Sequence, residues 1–533
     1  MKSHIMNTFK KILFSFLAFA ALQSRAQTNI AATYAAEITT ASLNKQLSII
    51  ASAEMEGRET GTAGQRKAAD YIESQFKGMG LLPIPSLKGY QQLYPLYQDS
   101  LQNALLTING KDAVFGKDFI TPLNSNETGK FKGKKLAFIG YGIEDEKYSD
   151  YNDIDVKGKV VVFLLGEPKK DGNYIISGGK RGSEWTFPGV SKKLQLAASK
   201  GAVGAIVINP NQETFNQRAV DNGKKTGVYY PRNSADVKSI NFAQISHEFA
   251  KTMLPNFDTL LKIAKAYLPI EKQWLTESKS KINYQFEKFR TTIYASNVAG
   301  MIEGTDKKDE YVFLTGHYDH LGMHDGKIYY GADDDGSGTV GVIQMAEAFA
   351  KAAAAGYKPR RTIVFMTVSG EEKGLWGSEY YSEHPFFPLD KTSVDLNTDM
   401  VGRIDTERKT ADSMNYVYVI GHDKLSSELP IINEAANLAS ANLILDYKFD
   451  DPNDPNRIYF RSDHYNFARK GVPILFFYDG MLKADYHRPT DTIEKINWPL
   501  YEKRVRMIFH TAWEMANRAE MLKRDKPLPA SAR

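Results

Sequence analysis

The chain has 533 residues, 42% hydrophobic and 25% charged, with a formal net charge of +5. Lys2, Lys10, Lys11 and Arg25 supply four of those positive charges before any acid occurs, so the remainder is close to neutral and nothing asks for nucleic acid or an anionic membrane as partner. With no cysteine, disulfides and a lipid-modified cysteine are excluded, and at about 100 to 200 residues per domain the length suggests two or three domains, large enough to bury a core without staples.

The first residues read as an export signal. Lysines lead into a mostly apolar run over residues 12–22, followed by Ser24, Arg25 and Ala26 with small residues where a signal peptidase reads, so residues 1–26 are expected to be a signal peptide cleaved before Gln27. The run is shorter than the roughly 20 residues that span a bilayer as a helix, which argues against an N-terminal membrane anchor, and no anchor is expected after cleavage. The expected location is exported, periplasmic or secreted.

Residues 42–51 place Leu43, Leu47 and Ile50 at helical spacing, and 54–62 (EMEGRETGT) form a polar loop punctuated by glycine. A second helix carries Ala68, Ala69, Ile72, Phe76 and Met79 on one face and stops at Gly80. From about residue 124 short apolar runs separated by glycines (136–139, 160–165) precede a helix (192–200) and a buried strand (203–208). Two short helical runs, 247–253 and 258–265, flank Pro255. No pairing of histidine with carboxylates of metal-site type occurs before about Arg290, so this middle segment reads as a β-rich module without chemistry of its own, a lid or spacer rather than a peptide-binding element, and His247 as a packing or surface residue. The expected division is 27–123 and 286–533 for one domain and 124–285 for an insert.

From residue 291 the pattern is strand, loop, helix, repeated, with apolar runs at 311–314, 362–368, 394–396, 416–420 and 473–477. Runs apolar at nearly every position suit strands covered on both faces, so the fold class is α/β, a mixed and largely parallel sheet flanked by helices. In such sheets the site lies beyond the carboxyl ends of the strands. The first run is followed by His317 and Asp319, the second by Glu371 and Glu372, the third by Asp399, and the fifth, after a loop, by His487; Asp333, Asp334 and Asp335 precede a helix. Two imidazoles and several carboxylates converging on one edge suit one or two Zn²⁺-like ions. A calcium loop around Asp333 is a weaker fit, because its twelfth position is Gln344 and a strand leads in. His320, His324, His384, His422, His464 and His510 read as packing or surface residues, with His464 bordering the cleft.

The motifs HYD (317–319), GADDDGSG (331–338), SGEEKGLWGS (369–378), NTDM (397–400) and YHRPTDT (486–492) stand in the order found in the co-catalytic zinc aminopeptidases of peptidase family M28, and the chain resembles them. MEGRETGTAGQRKAADYI (55–72) extends the likeness, and YGIED, DVKGKVVV and GAVGAIVI resemble the protease-associated (PA) domain inserted in some members. The resemblance implies a zinc exopeptidase with a PA insert and two Zn²⁺ per chain. One ion would take His317 and Asp399, the other Glu372 and His487, with Asp334 bridging. Three carboxylates against two dications leave one positive charge, which a bridging hydroxide neutralises. It further implies Glu371 as general base, Asp319 as the residue fixing the ring of His317, a cis peptide at Asp334–Asp335, and Tyr459 as a stabiliser of the tetrahedral intermediate.

The implied activity is removal of N-terminal residues from peptide or protein substrates. Alternatives within the resemblance are a carboxypeptidase, a single-zinc glutaminyl cyclase, and a peptidase-like binding protein that has lost catalysis. Side-chain specificity and oligomeric state are not legible.

Overall fold

Strands form here where apolar runs can be covered on both faces, and helices where one stripe is apolar and the ends are capped. The computed structural model describes residues 30–528 apart from Asp153, Pro188, residues 232–238 and Ser413; the expected signal peptide lies outside the described residues. In chain order the elements that build the layers are α1 (Thr40–Ile50), α2 (Ala63–Gly78), β1 (Gly129–Phe138), β2 (Val160–Leu164), α3 (Val190–Ser199), β3 (Gly204–Ile208), β4 (Phe242–Ile245), the long β5 (Thr276–Ile302), β6 (Lys307–His317), α4 (Gly338–Ala354), β7 (Arg361–Val368), α5 (Trp376–Glu383), β8 (Thr392–Thr398), β9 (Tyr416–Ile420), α6 (Leu429–Leu438), β10 (Ile444–Asp446), β11 (Ile474–Tyr478) and α7 (Trp498–Asn517).

Contacts divide the chain into two units. Of the described residues, one unit comprises those up to Pro95 and those from Tyr294 onward; the other is those of Leu96–Ile293. The first is ordered β10-β9-β11-β8-β6-β7-β5. Strands β7, β6, β8 and β11 run parallel, while β9 is antiparallel to β11 and the last part of β5 antiparallel to β7. The sheet is therefore mixed and largely parallel, and every residue of β7, β8 and β11 is buried. Helices α4 and α7 pack on its central strands. Helix starts follow side-chain capping: the Thr39 hydroxyl accepts from the Ser42 N–H at α1, Thr62 from Gln65 at α2, and Asn497 from Leu500 at α7.

In the second unit the first part of β5 pairs antiparallel with β1, and β1, β2, β3 and β4 run parallel. Its boundaries are wider than the 124–285 read from the sequence. Leu106, Ile108, Phe119 and Leu123 sit in its core alongside Val160, Ile206 and Tyr284, so about thirty residues before the glycine-rich runs already belong to it. No described helix is long and apolar enough to cross a membrane.

Phe313 of β6 is 0% exposed and meets the rings of Tyr381 at 5.4 Å, Phe467 at 5.5 Å and Phe386 at 6.2 Å. Replacing it by alanine opens a cavity behind the strand that ends in His317. The expected loss is about 3–5 kcal/mol in denaturant titration; a loss under about 1 kcal/mol would show that this cluster is not the keystone of the sheet.

Candidate metal centre

Strand β6 delivers His317 as its last residue, and the main chain then turns so that the ring Nδ1 lies 3.1 Å from the carbonyl oxygen of Asp319. A carbonyl can only accept, so the proton sits on Nδ1 and Nε2 is left facing Asp334 Oδ1 at 3.3 Å and Asp399 Oδ1 at 3.5 Å. Glu371 Oε2 stands 4.0 Å from the same nitrogen. On the other side, His487 Nε2 lies 2.9 Å from Glu372 Oε2 and 3.2 Å from Asp334 Oδ2. Asp334 thus stands between the two imidazoles, one oxygen toward each.

The acidic triplet divides its labour through backbone hydrogen bonds. Asp335 is saturated: its Oδ2 accepts the His317 N–H (3.1 Å) and its Oδ1 the N–H groups of Gly338 (2.7 Å) and Met400 (2.9 Å). Although it stands close to His317 and Asp399, both its oxygens are committed to tying β6, α4 and the end of β8 together. Asp333 Oδ1 accepts from Gly402 N–H (2.8 Å) and the Ser337 hydroxyl (3.1 Å). The N–H groups of Asp333 and Asp334 both donate to Asp491 Oδ2, at 3.0 and 3.1 Å. The Asp334–Asp335 peptide is cis.

His320, set aside in the sequence as packing or surface, belongs to this cluster. It is fully buried, with Nδ1 2.7 Å from Glu372 Oε1 and 3.9 Å from Asp334 Oδ2. Its proximity in sequence to His317 was the available signal, but whether a residue three past a strand end turns back into the site depends on the loop. Tyr486 was also missed. It lines the cavity beside the cluster together with Asp334, Glu371, Asp399, Met400, Ile458, Arg461 and Tyr478; its ring stacks on His487 at 3.8 Å, and its phenol oxygen accepts from Arg461 Nη2 at 3.1 Å. Tyr459 is placed differently. Its ring lines a neighbouring cavity with Lys424, Phe449 and Phe460, its hydroxyl has no hydrogen-bond partner, and the acids that raise its pKa, after burial, are Asp450 and Asp423.

Burial governs the electrostatics. It would raise Asp334, but His317 and His487 hold that carboxyl well below the ordinary range. Burial disfavours the imidazolium of His317, yet Asp399, Asp319 and Asp334 outweigh it and hold its pKa well above the usual value. For His487 burial again opposes, and Asp334 and Glu372 push the pKa up to about 10. Burial lifts Glu371 well above an ordinary glutamate, opposed by His317 and reinforced by Glu372 and Asp399.

The residues present fit a metal. Buried polar atoms are normally hydrogen-bonded, yet His320 Nε2 is buried without a hydrogen-bond partner, and the buried His317 Nε2, His320 Nδ1, Asp334 Oδ2 and Glu372 Oε1 meet only one another and the other imidazoles and carboxylates of the cluster. They are nitrogen and oxygen donors converging on shared points, the set that divalent zinc takes. A second grouping, His422, Asp423 and Asp450, has its own cation: Lys424 Nζ donates to Asp450 Oδ1 at 2.5 Å.

Residues 297–512 match the model of peptidase family M28, and residues 132–253 match that of the PA domain. Residues 297–512 are a family M28 peptidase domain. Among curated proteins the chain is similar to a glutamate carboxypeptidase 2 homolog of Caenorhabditis elegans, 23% identical over 397 residues that make up 63% of this chain and 48% of the relative. It is 28% identical over 201 residues to a protein of Leptosphaeria maculans described as a probable zinc metalloprotease, covering 36% of this chain and 43% of that one. The chain spans about half the length of the curated relatives it matches. Among solved structures it is similar to an aminopeptidase from Aneurinibacillus sp. strain AM-1, with 18% identity, 93% of this chain and 99% of that chain covered, and a TM-score of 0.47.

With no cation bound, His487, pushed up to about 10, carries at neutral pH a proton on the nitrogen that faces Asp334 and Glu372, and a cation bound there must displace it. Zinc uptake at pH 7 is therefore expected to release protons, and affinity to fall as pH is lowered. Calorimetry in buffers of different protonation enthalpy measures the release; uptake without protons would show that this imidazole does not bind.

Proposed function

We propose that the chain is a zinc-dependent exopeptidase that removes N-terminal residues from peptides. The observation that carries this reading is the position of Glu371, a carboxylate of raised basicity that shares a cavity with Asp334 and Asp399 and stands 4.0 Å from His317 Nε2. Two ions are proposed: His317 and Asp399 would hold one and Glu372 and His487 the other, with Asp334 between them. Bound zinc would supply Lewis-acid polarisation of the scissile carbonyl and acidification of water.

The remaining work falls to the protein's own groups. Glu371 accepts the proton of the attacking water and returns it to the leaving amine. Asp319 holds the elements around it, its Oδ1 accepting the Glu371 N–H at 3.2 Å. Tyr486, whose oxygen already accepts from Arg461, keeps its own O–H to donate to the carbonyl oxygen as charge develops there, a role that the sequence resemblance had suggested for Tyr459. The choice of the N-terminal end rests on the order of the motifs, which resembles that of the co-catalytic zinc aminopeptidases. Export to the periplasm or medium is part of the proposal and rests on residues 1–26.

A second reading, removal of C-terminal residues, is favoured by the carboxypeptidase name of the Caenorhabditis elegans relative and by the guanidinium of Arg461 at the same cavity. Peptides blocked at either terminus separate the two: an acetylated N-terminus abolishes hydrolysis under the first reading and leaves it intact under the second. In either case Glu371→Gln is expected to lower kcat by about a hundred- to ten-thousandfold with zinc still bound. Undiminished turnover by that variant would sink the mechanism.

A further inference from the structure

The loop 54–62 carries no group used so far, yet it is built into the floor of the centre. Gly57, at φ +68°, presses its Cα against the loop that follows β6, where any Cβ would collide with the carbonyl oxygens of Gly322 and Tyr329. The next residue, Arg58, is 0% exposed and pairs with no carboxylate among the described residues. Its guanidinium donates instead to the carbonyl oxygens of Tyr318 (2.6 Å), Tyr330 (2.7 Å), Ile50 (2.8 Å) and Gly331 (2.9 Å). Tyr318 lies between His317 and Asp319, while Tyr330 and Gly331 lead into the acidic triplet, so one side chain clamps both ends of the intervening loop. Glu59 reaches Lys373, one residue past Glu372, with 2.7 Å between Oε1 and Nζ. Thr60 is 2% exposed, and its hydroxyl donates to Asp319 Oδ2 at 2.6 Å. The other oxygen of Asp319 accepts the backbone N–H of Glu371.

We infer that Gly57–Thr60 is the positioning element of the centre, with the Thr60 hydroxyl setting the rotation of Asp319 and, through it, the placement of both Glu371 and His317. Arg58, Glu59 and Thr60 bond to the segments that carry His317, Asp334 and Glu371 with Glu372, and Gly57 lets the loop approach closely. A carboxylate with both oxygens engaged cannot turn; freed of Thr60, Asp319 has a single tie to the Glu371 backbone and can rotate away from His317 Nδ1, 3.6 Å from Oδ1. Thr60 and Glu59 are thus positioning residues, acting through Asp319 and Lys373 and touching no substrate. The inference rests on the metal-dependent reading above.

Thr60→Val removes the hydroxyl while filling the same buried volume, and Thr60→Ser restores it. Outer partners of metal ligands typically contribute about 10- to 100-fold in metal affinity or activity. Thr60→Val is accordingly expected to lose kcat by about that factor with KM within about twofold, and to release zinc to a competing chelator at about tenfold lower chelator concentration, while Thr60→Ser behaves as the parent. Glu59→Gln, at a partly exposed position, tests the second tie without threatening the fold and is expected to lower kcat several-fold. The inference is overturned if Thr60→Val matches the parent in zinc release and turnover, or if Thr60→Ser is as impaired as Thr60→Val. Should the parent hydrolyse none of the peptides, the functional reading fails, and the zinc-release comparison still decides the role of Thr60.

Discussion

The structure depends on how it holds negative charge out of water. Asp319, Asp333, Asp334 and Asp335 are all buried, with Glu371, Glu372 and Asp399 beside them, at the carboxyl ends of parallel strands. Uncompensated, such a cluster would be protonated or would drive the loops apart. Compensation comes in three forms: backbone N–H groups on Asp333 and Asp335, the guanidinium of Arg58 held at a short remove by carbonyl oxygens, and the imidazoles on Asp334 and Glu372.

That distribution explains why three adjacent aspartates behave differently. Asp335 spends both its oxygens, and Asp333 its Oδ1, on amides from β6, α4 and the turn after β8, which makes them the fasteners of the strand ends. Asp334 keeps its carboxylate for the space between His317 and His487 because its own N–H, not its oxygens, is secured by Asp491. Asp491 follows His487 by four residues, so the segment bearing one imidazole also fixes the carboxylate it faces. Fastening and chemistry are thus assigned to neighbours in sequence by the direction in which each side chain leaves the turn.

The insert is organised on different terms. Its cores are apolar, and its buried charges include Asp99, paired with Lys288 and Arg290, and Lys193, whose ammonium donates to the carbonyl oxygens of Leu164 and Gly166. Glu167 is buried but fully engaged by Ser183 and Thr186. Among the described residues of this unit no grouping of histidines and carboxylates converges as those of the first unit do.

The sequence by itself determined the fold class and five strands of the peptidase domain, β6, β7, β8, β9 and β11 but not β10 or the end of β5, because residues buried on both faces must be apolar at almost every position and that leaves continuous runs such as 362–368. It also brought the candidate donors to one edge, since in a parallel sheet whatever follows each strand arrives on the same side. Only the tertiary structure decided which donors face each other. His320 entered the cluster and Tyr459 turned to a neighbouring cavity while Tyr486 stacked on His487, outcomes set by loop paths over which no periodicity operates. The boundary of the insert was likewise out of reach, since residues 96–123 alternate too weakly to announce the core they join. The loop at Arg58 shows the difference most plainly. Its polarity reads as solvent exposure in one dimension, and only assembly turns that polarity inward, onto carbonyl oxygens far along the chain.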